Sequence, residues 1–224
     1  MGDYRRFGIT MTIKIRPART EDAKLLGWCM LMAGRSHMKT GIWDLIISQP
    51  EAKCLKFLEM LSVEGPRHMC HYKEFLVAEV DGKPAGALEG FDPATNGDLT
   101  VSEHLTAVAG KLKLTPEDMA PGQQNLVAFF TCHTEYAPGA WVVEHVATRP
   151  EYRRTGVINA LLDAILDKGR SQGFKLAQVS PYIGNAPAER AYMKAGFKYH
   201  DEKRHPDFEA LIGCPGMVRY MRDI

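Results

Sequence analysis

Polar and apolar positions alternate from Thr12 to Arg16 (TIKIR), which predicts a strand ended by Pro17. Thr20 is a good N-cap for a helix from Glu21 to about Met32. From Ile42 to Val63 the pattern is helical in two pieces broken at Pro50; Trp43, Ile46 and Ile47 line one face of the first, and Leu55, Leu58 and Leu61 serve the second. Glu74 to Val80 and Pro84 to Phe91 are two strands around Asp81-Gly82-Lys83, a strong hairpin signal. Val101 to Leu112 suits a helix, Thr115 to Met119 the start of another, and Gln124 to His133 (QNLVAFFTCH) a strand. The β-branched run Val142 to Thr148 predicts a strand. Beyond it, Ile158, Leu161, Leu162, Ile165 and Leu166 recur at the spacing of a buried helical face. Lys175 to Ser180 is a strand, Asn185 to Ala195 a short helix, and Phe197 to His200 and Met217 to Met221 closing strands.

Strands interleaved with helices indicate an α/β sheet. Residues 1–11 are expected to be a flexible leader, and 12–224 a single domain in which 92–133 is an insertion, since neither repeats nor low-complexity segments mark a linker.

Composition changes this picture by exclusion. The chain is 45% hydrophobic and 25% charged with net charge +1, so nucleic acid is not expected as a bulk electrostatic partner and any anion site must be local. The longest apolar run, Leu25 to Gly34, falls short of the ~20 residues that span a bilayer, so no membrane partner is expected. The first ten residues lack the apolar core of a signal peptide, which makes the cytoplasm the expected location. An odd count of 5 cysteines fits reduced thiols. His68, Cys70 and His71 lie close together, as do Cys132 and His133, but without a paired C-x-x-C they read as structural or surface residues and no metal is expected.

Two stretches carry candidate chemistry. Between the strand at Val142 and the following helix lies Arg153-Arg154-Thr155-Gly156-Val157. The first turn of a helix leaves N–H groups unsatisfied and partial positive charge, and a glycine there admits a bulky anion such as a pyrophosphate. Taken alone, the turn also fits an ordinary strand-turn-helix with surface arginines. No lysine-serine or lysine-threonine pair follows the glycine, so it is not a P-loop. The second stretch is N-x-x-A-x-x-x-Y-x-K-x-G-F, from Asn185 through Ala188, Tyr192, Lys194 and Gly196 to Phe197. Asn185 and Tyr192 fall two helical turns apart, hence on nearly one face. Singly, they read as a helix cap and a core residue.

Together the two stretches resemble the GCN5-related N-acetyltransferase (GNAT) superfamily, through Arg153, Gly156, Asn185, Ala188, Tyr192, Gly196 and Phe197. The likeness is strong over 141–200, looser over the first 90 residues, and leaves 92–133 unexplained. It implies a mixed, mostly antiparallel central sheet flanked by helices, and an acyltransferase that moves an acetyl group from acetyl-CoA to a primary amine by direct attack in a ternary complex. The amides from Arg154 through Thr155, Gly156 and Val157 to Ile158 would hold the pyrophosphate, with charge from Arg153 and Arg154. Val146, Ala147 and Thr148 would bind the pantetheine arm, with an N–H near Ala147 or Thr148 polarising the thioester carbonyl. Asn185 joins the expected cofactor-binding set. Glu144 is the preferred base, His145 pointing to the opposite face of the strand, and Tyr192 would protonate the departing thiolate. Ile158 departs from the usual glycine or alanine; its side chain either crowds the pyrophosphate or faces the core. A catalytically idle CoA-binding or interaction domain is the alternative. Segments 36–63, 92–140 and 201–215 would form the acceptor side, and a homodimer is one assembly the family suggests.

Overall fold

The computed structural model describes residues 2–6, 9–65 and 68–224. Among these, the strands are β1 (Gly2–Arg6), β2 (Ile9–Pro17), β3 (Phe75–Val80), β4 (Lys83–Phe91), β5 (Ala140–Thr148), β6 (Leu176–Val179), β7 (Lys198–Arg204) and β8 (Gly216–Asp223). They form one sheet in the order β1-β2-β3-β4-β5-β6-β8-β7. Every pairing is antiparallel except β5 with β6. The helices are α1 (Ala23–Arg35), α2 (Ile42–Ile47), α3 (Glu51–Leu61), α4 (Pro93–Asn96), α5 (Asp98–Lys111), α6 (Pro116–Phe130), α7 (Val157–Ser171), α8 (Ala186–Lys194) and α9 (Pro206–Ile212). None of the described helices is long and apolar enough to cross a membrane.

Alternation along the strands divides the core in two. Phe75 and Val77 of β3 point to one face, where Leu26 and Met30 of α1 and Phe57 and Leu58 of α3 meet them. Leu76 and Ala78 point to the other, where α7 lays down Leu161, Leu162, Ile165 and Leu166. These four side chains are fully buried, each contributing about 1.5–3 kcal/mol of transfer free energy. This is the stripe the periodicity predicts.

Two expectations are corrected. Gln124–His133 is not a strand: Gln124–Phe130 belongs to α6. Its start is fixed by a reciprocal cap, in which Asp118 N–H donates to Thr115 Oγ1 (3.2 Å) and Thr115 N–H to Asp118 Oδ2 (2.8 Å), with Pro116 at the first position. The unbroken apolar run imitates a strand because α6 leaves Val127 and Phe130 exposed while burying Phe129. Gly122 on the buried side crosses α2 so closely that a Cβ would sit 1.9 Å from Ile46 O. Asn125 Nδ2 donates to Leu45 O there (2.9 Å). The expected leader also contains structure, since Gly2–Arg6 pairs along the otherwise open edge of β2, from Gly2 opposite Ile13 to Arg6 opposite Ile9.

The entry to α1 rests on one ion cluster. Arg16 donates to both Asp22 oxygens (2.7 and 2.9 Å) and to Glu79 Oε1 (2.6 Å), and Asp22 also accepts Arg19 N–H (2.8 Å). Burial alone would raise the Asp22 pKa, but the Arg16 guanidinium and the Arg19 N–H outweigh it and hold the carboxyl below its usual range. Asp22→Asn should therefore destabilise the fold by about 1–2 kcal/mol near neutrality in chemical denaturation, less than for a fully buried pair because the cluster is partly solvated. A depressed carboxyl pKa stabilises above the unfolded value and ceases to do so as pH falls through the folded one. The difference between variant and wild type should accordingly shrink in acid.

Candidate active site

β5 pairs with β6 through Ala140, Trp141 and Val142, after which the two strands no longer pair. On its other edge β5 follows β4, but with one extra residue: Ala87 lies opposite Ala147 and Glu89 opposite Glu144. This is a β-bulge, and His145 within it takes a left-handed backbone, φ 49°. The expectation that His145 points away from Glu144 assumed regular alternation, which the bulge breaks. Both side chains turn toward Glu89, the cross-strand neighbour of Glu144, and their ligand atoms lie within 4.8 Å of one another.

The bonds in this cluster are specific. Trp43 Nε1–H, from α2, donates to His145 Nε2 (2.9 Å), and His145 Nδ1 meets Glu89 Oε1 (2.7 Å). An indole N–H can only donate, so Nε2 carries the lone pair and Nδ1 the proton. Glu89 is fully buried, and burial raises its pKa. Glu144 is half-buried and accepts from the Tyr136 hydroxyl (3.3 Å). Tyr136 sits in a loop that the buried Gln178 side chain pins, accepting from Ala137 N–H (2.8 Å) and donating to Glu135 O (3.1 Å).

At the far end of β5, Pro150–Tyr152 forms a 3₁₀ turn and the chain enters α7 through Arg154 (φ 63°) and Gly156 (φ 93°). The Gly156 conformation is one that side chains avoid. Thr155 is tied down, its hydroxyl donating to Tyr152 O (2.6 Å), and Val157 is buried. Arg153 and Arg154 are exposed. A bare backbone at a helix entry with two exposed guanidinium groups fits a diphosphate. Ile158 is half-buried and packs against the α7-side core, the second of its two expected orientations.

The second stretch divides as follows. Asn185 Oδ1 accepts Ala188 N–H (3.2 Å) and its Nδ2 donates to Ser36 Oγ (2.6 Å), so its amide caps α8 and ties it to the end of α1. Tyr192 is buried beside Phe197, and burial, followed by the charge of Glu144, pushes its phenol pKa up. Three residues of the cluster, Trp43, Glu89 and Tyr136, escape a reading of the sequence as functional. Trp43 and His145 are 102 residues apart, and Glu89 and His145 56. The readable signal is indirect: Glu89 is a carboxylate within Pro84–Phe91, a stretch otherwise apolar and glycine-rich.

The expected acceptor segments do converge. Phe129 of α6 and Phe208 and Ile212 of α9 pack with Tyr182 and Met217, against Met38, Ile42 and Leu45.

No curated protein sequence matches the chain. Among solved structures, it is similar to an acetyltransferase at 21% identity and TM-score 0.67, covering 94% of this chain and 99% of that one. It is also similar to an N-acetyltransferase from Staphylococcus aureus Mu50, at 19% identity and TM-score 0.67, covering 93% and 100%. The aminoglycoside acetyltransferase AAC(6')-Ib, in complex with coenzyme A and kanamycin, aligns at 16% identity and TM-score 0.53 over 95% of each chain. These likenesses establish the fold. The family model described as "Acetyltransferase (GNAT) family" matches residues 51–197, which is most of the chain and contains the bulge, the helix entry and Tyr192. The chain belongs to the acetyltransferase (GNAT) family.

Proposed function

We propose that this chain is an N-acetyltransferase that moves the acetyl group of acetyl-CoA to a primary amine by direct attack in a ternary complex. The observation that carries this reading is the bulge at His145. It places Glu144 on the strand just beyond the last β5–β6 pairs, where an extended co-substrate can lie along the unpaired edge of β5.

Acetyl-CoA supplies the activated thioester carbonyl. The amides from Arg154 to Ile158 would hold its diphosphate, with Arg153 and Arg154 adding charge. Arg149 N–H donates to Ala85 O on β4 (2.8 Å), so alternation turns the neighbouring Thr148 amide toward the open edge. That supports Thr148 over Ala147 as the donor that polarises the carbonyl. A free alkylamine has a pKa near 10.4, so the acceptor arrives protonated and must lose a proton before it attacks. Glu144 takes that proton directly or through water. Net, a C–N bond forms while the C–S bond breaks; Tyr192 gives its phenol proton to the departing sulfur, and the second proton shed by the attacking nitrogen returns to the phenolate through solvent.

Two measurements bear on this reading. Gly156→Val should weaken acetyl-CoA binding about tenfold or more, since a side chain costs about 1–2 kcal/mol in a left-handed backbone and fills the anion's approach. Unchanged affinity by calorimetry would remove the helix entry from the site. Thiol release from acetyl-CoA over a panel of primary amines tests the activity itself. Release that depends on one class of amine supports the proposal, and binding without release on any of them would favour an idle CoA-binding domain.

A further inference from the structure

We propose that Trp43, His145 and Glu89 form a positioning chain that keeps an uncharged imidazole beside Glu144, so that a cationic amine meets the base without a competing positive charge. This rests on the reading above, in which Glu144 receives the acceptor's proton. The chain begins on α2, in the segment expected to face the acceptor. Trp43 is 5% exposed, and its ring is wedged so tightly that a Cβ on Gly34 would lie 2.8 Å from Cδ1. Its N–H therefore has little freedom to leave His145 Nε2. The other end, Glu89, is fully buried, and its second oxygen has no hydrogen-bond partner. Between them His145 holds a left-handed backbone that costs free energy by itself and is retained by bonds at both ring nitrogens.

The consequence is electrostatic. An imidazolium at this place would stand in the same cluster as the Glu144 carboxylate, weaken it as a base and repel the incoming ammonium. Trp43 opposes that charge, because protonating Nε2 would set two donors against each other. An ionised Glu89 would favour the charged ring, so the opposing influence rests on the Trp43 N–H. Phe75 on β3 stacks on the imidazole with centroids 6.4 Å apart and carries no charge. Tyr136 bonds Glu144, while Glu74 and Lys168 act on Glu89 in opposite directions.

The first test reads the ring directly, without turnover. Two-bond ¹⁵N–¹H NMR of the wild-type chain should show His145 as the Nδ1–H tautomer, with no titration between about pH 5.5 and 8. In Trp43→Phe the ring should titrate with a midpoint of about 6.5 or higher. The KM for the amine at acid pH should then rise about tenfold, the equivalent of 1.4 kcal/mol, while the KM for acetyl-CoA stays unchanged. Glu89→Gln keeps an acceptor for Nδ1–H and should preserve the wild-type tautomer. An Nε2–H tautomer, a titrating wild-type ring, or a folded Trp43→Phe with unchanged amine KM at every pH overturns the proposal. Should Trp43→Phe fail to fold, the wild-type profile of kcat/KM for the amine decides the role, and an acidic limb with a midpoint of about 6.5 overturns it. Absence of turnover with any amine overturns the acetyl-transfer reading and the role built on it. A wrong tautomer overturns the chain alone, so the two failures are distinguishable.

Discussion

Glu144→Gln should lower kcat by about 100- to 10,000-fold, the usual contribution of a positioned base, and leave acetyl-CoA binding intact. The substitution is nearly isosteric, and a glutamine oxygen can still accept from the Tyr136 hydroxyl that bonds Glu144. The bulge should therefore persist, and only the ability to take a proton is removed. In the proposed reaction the acceptor is a cation that must be neutralised, so the deficit should narrow as pH approaches the amine's own pKa, near 10.4 for an alkylamine. Wild-type turnover in this variant would move the base elsewhere. Among the residues of the cluster, His145 is poorly suited to replace it, since its lone pair already accepts the Trp43 N–H.

Tyr192→Phe should cost kcat about 100-fold or more, again with little change in acetyl-CoA affinity. Tyr192 is 6% exposed and packs beside Phe197, and phenylalanine keeps that packing, so the loss would report the hydroxyl and not the fold. A leaving group that needs no proton discriminates further: an aryl thioester with an acidic thiol should restore most of the lost rate. An equal deficit with both thioesters would mean that Tyr192 supports the site through packing. A phenol, with an ordinary pKa near 10, carries its proton at neutral pH, and burial raises that pKa further.

Local periodicity made much of this molecule legible. The α7 stripe, the Asp81-Gly82 hairpin and the break at Pro50 each depend on residues close in sequence, and each appears in the fold. The helix entry at Gly156 was legible because a strand, two arginines and a glycine occur in one short stretch. The bulge was not. Strict alternation places Glu144 and His145 on opposite faces, and only the β4 register, with Glu89 opposite Glu144, displays the extra residue. Trp43 was readable as part of an apolar face, but nothing near it in sequence shows that its N–H reaches β5. The α6 error has a similar cause: Val127 and Phe130 are exposed apolar residues that fill in what would otherwise be a helical stripe. Asn185 carries the opposite lesson, since its cap on Ala188 and bond to Ser36 account for its place without a ligand.

The most direct measurement is a crystal structure of this chain with acetyl-CoA and an unreactive amine analogue. The account predicts the diphosphate on the amides of residues 154–158, and the thioester sulfur within about 3–3.5 Å of Tyr192 Oη. The amine nitrogen should face Glu144, directly or through one water. A diphosphate bound elsewhere, or a phenol still sealed in the core with the thioester out of its reach, would contradict it.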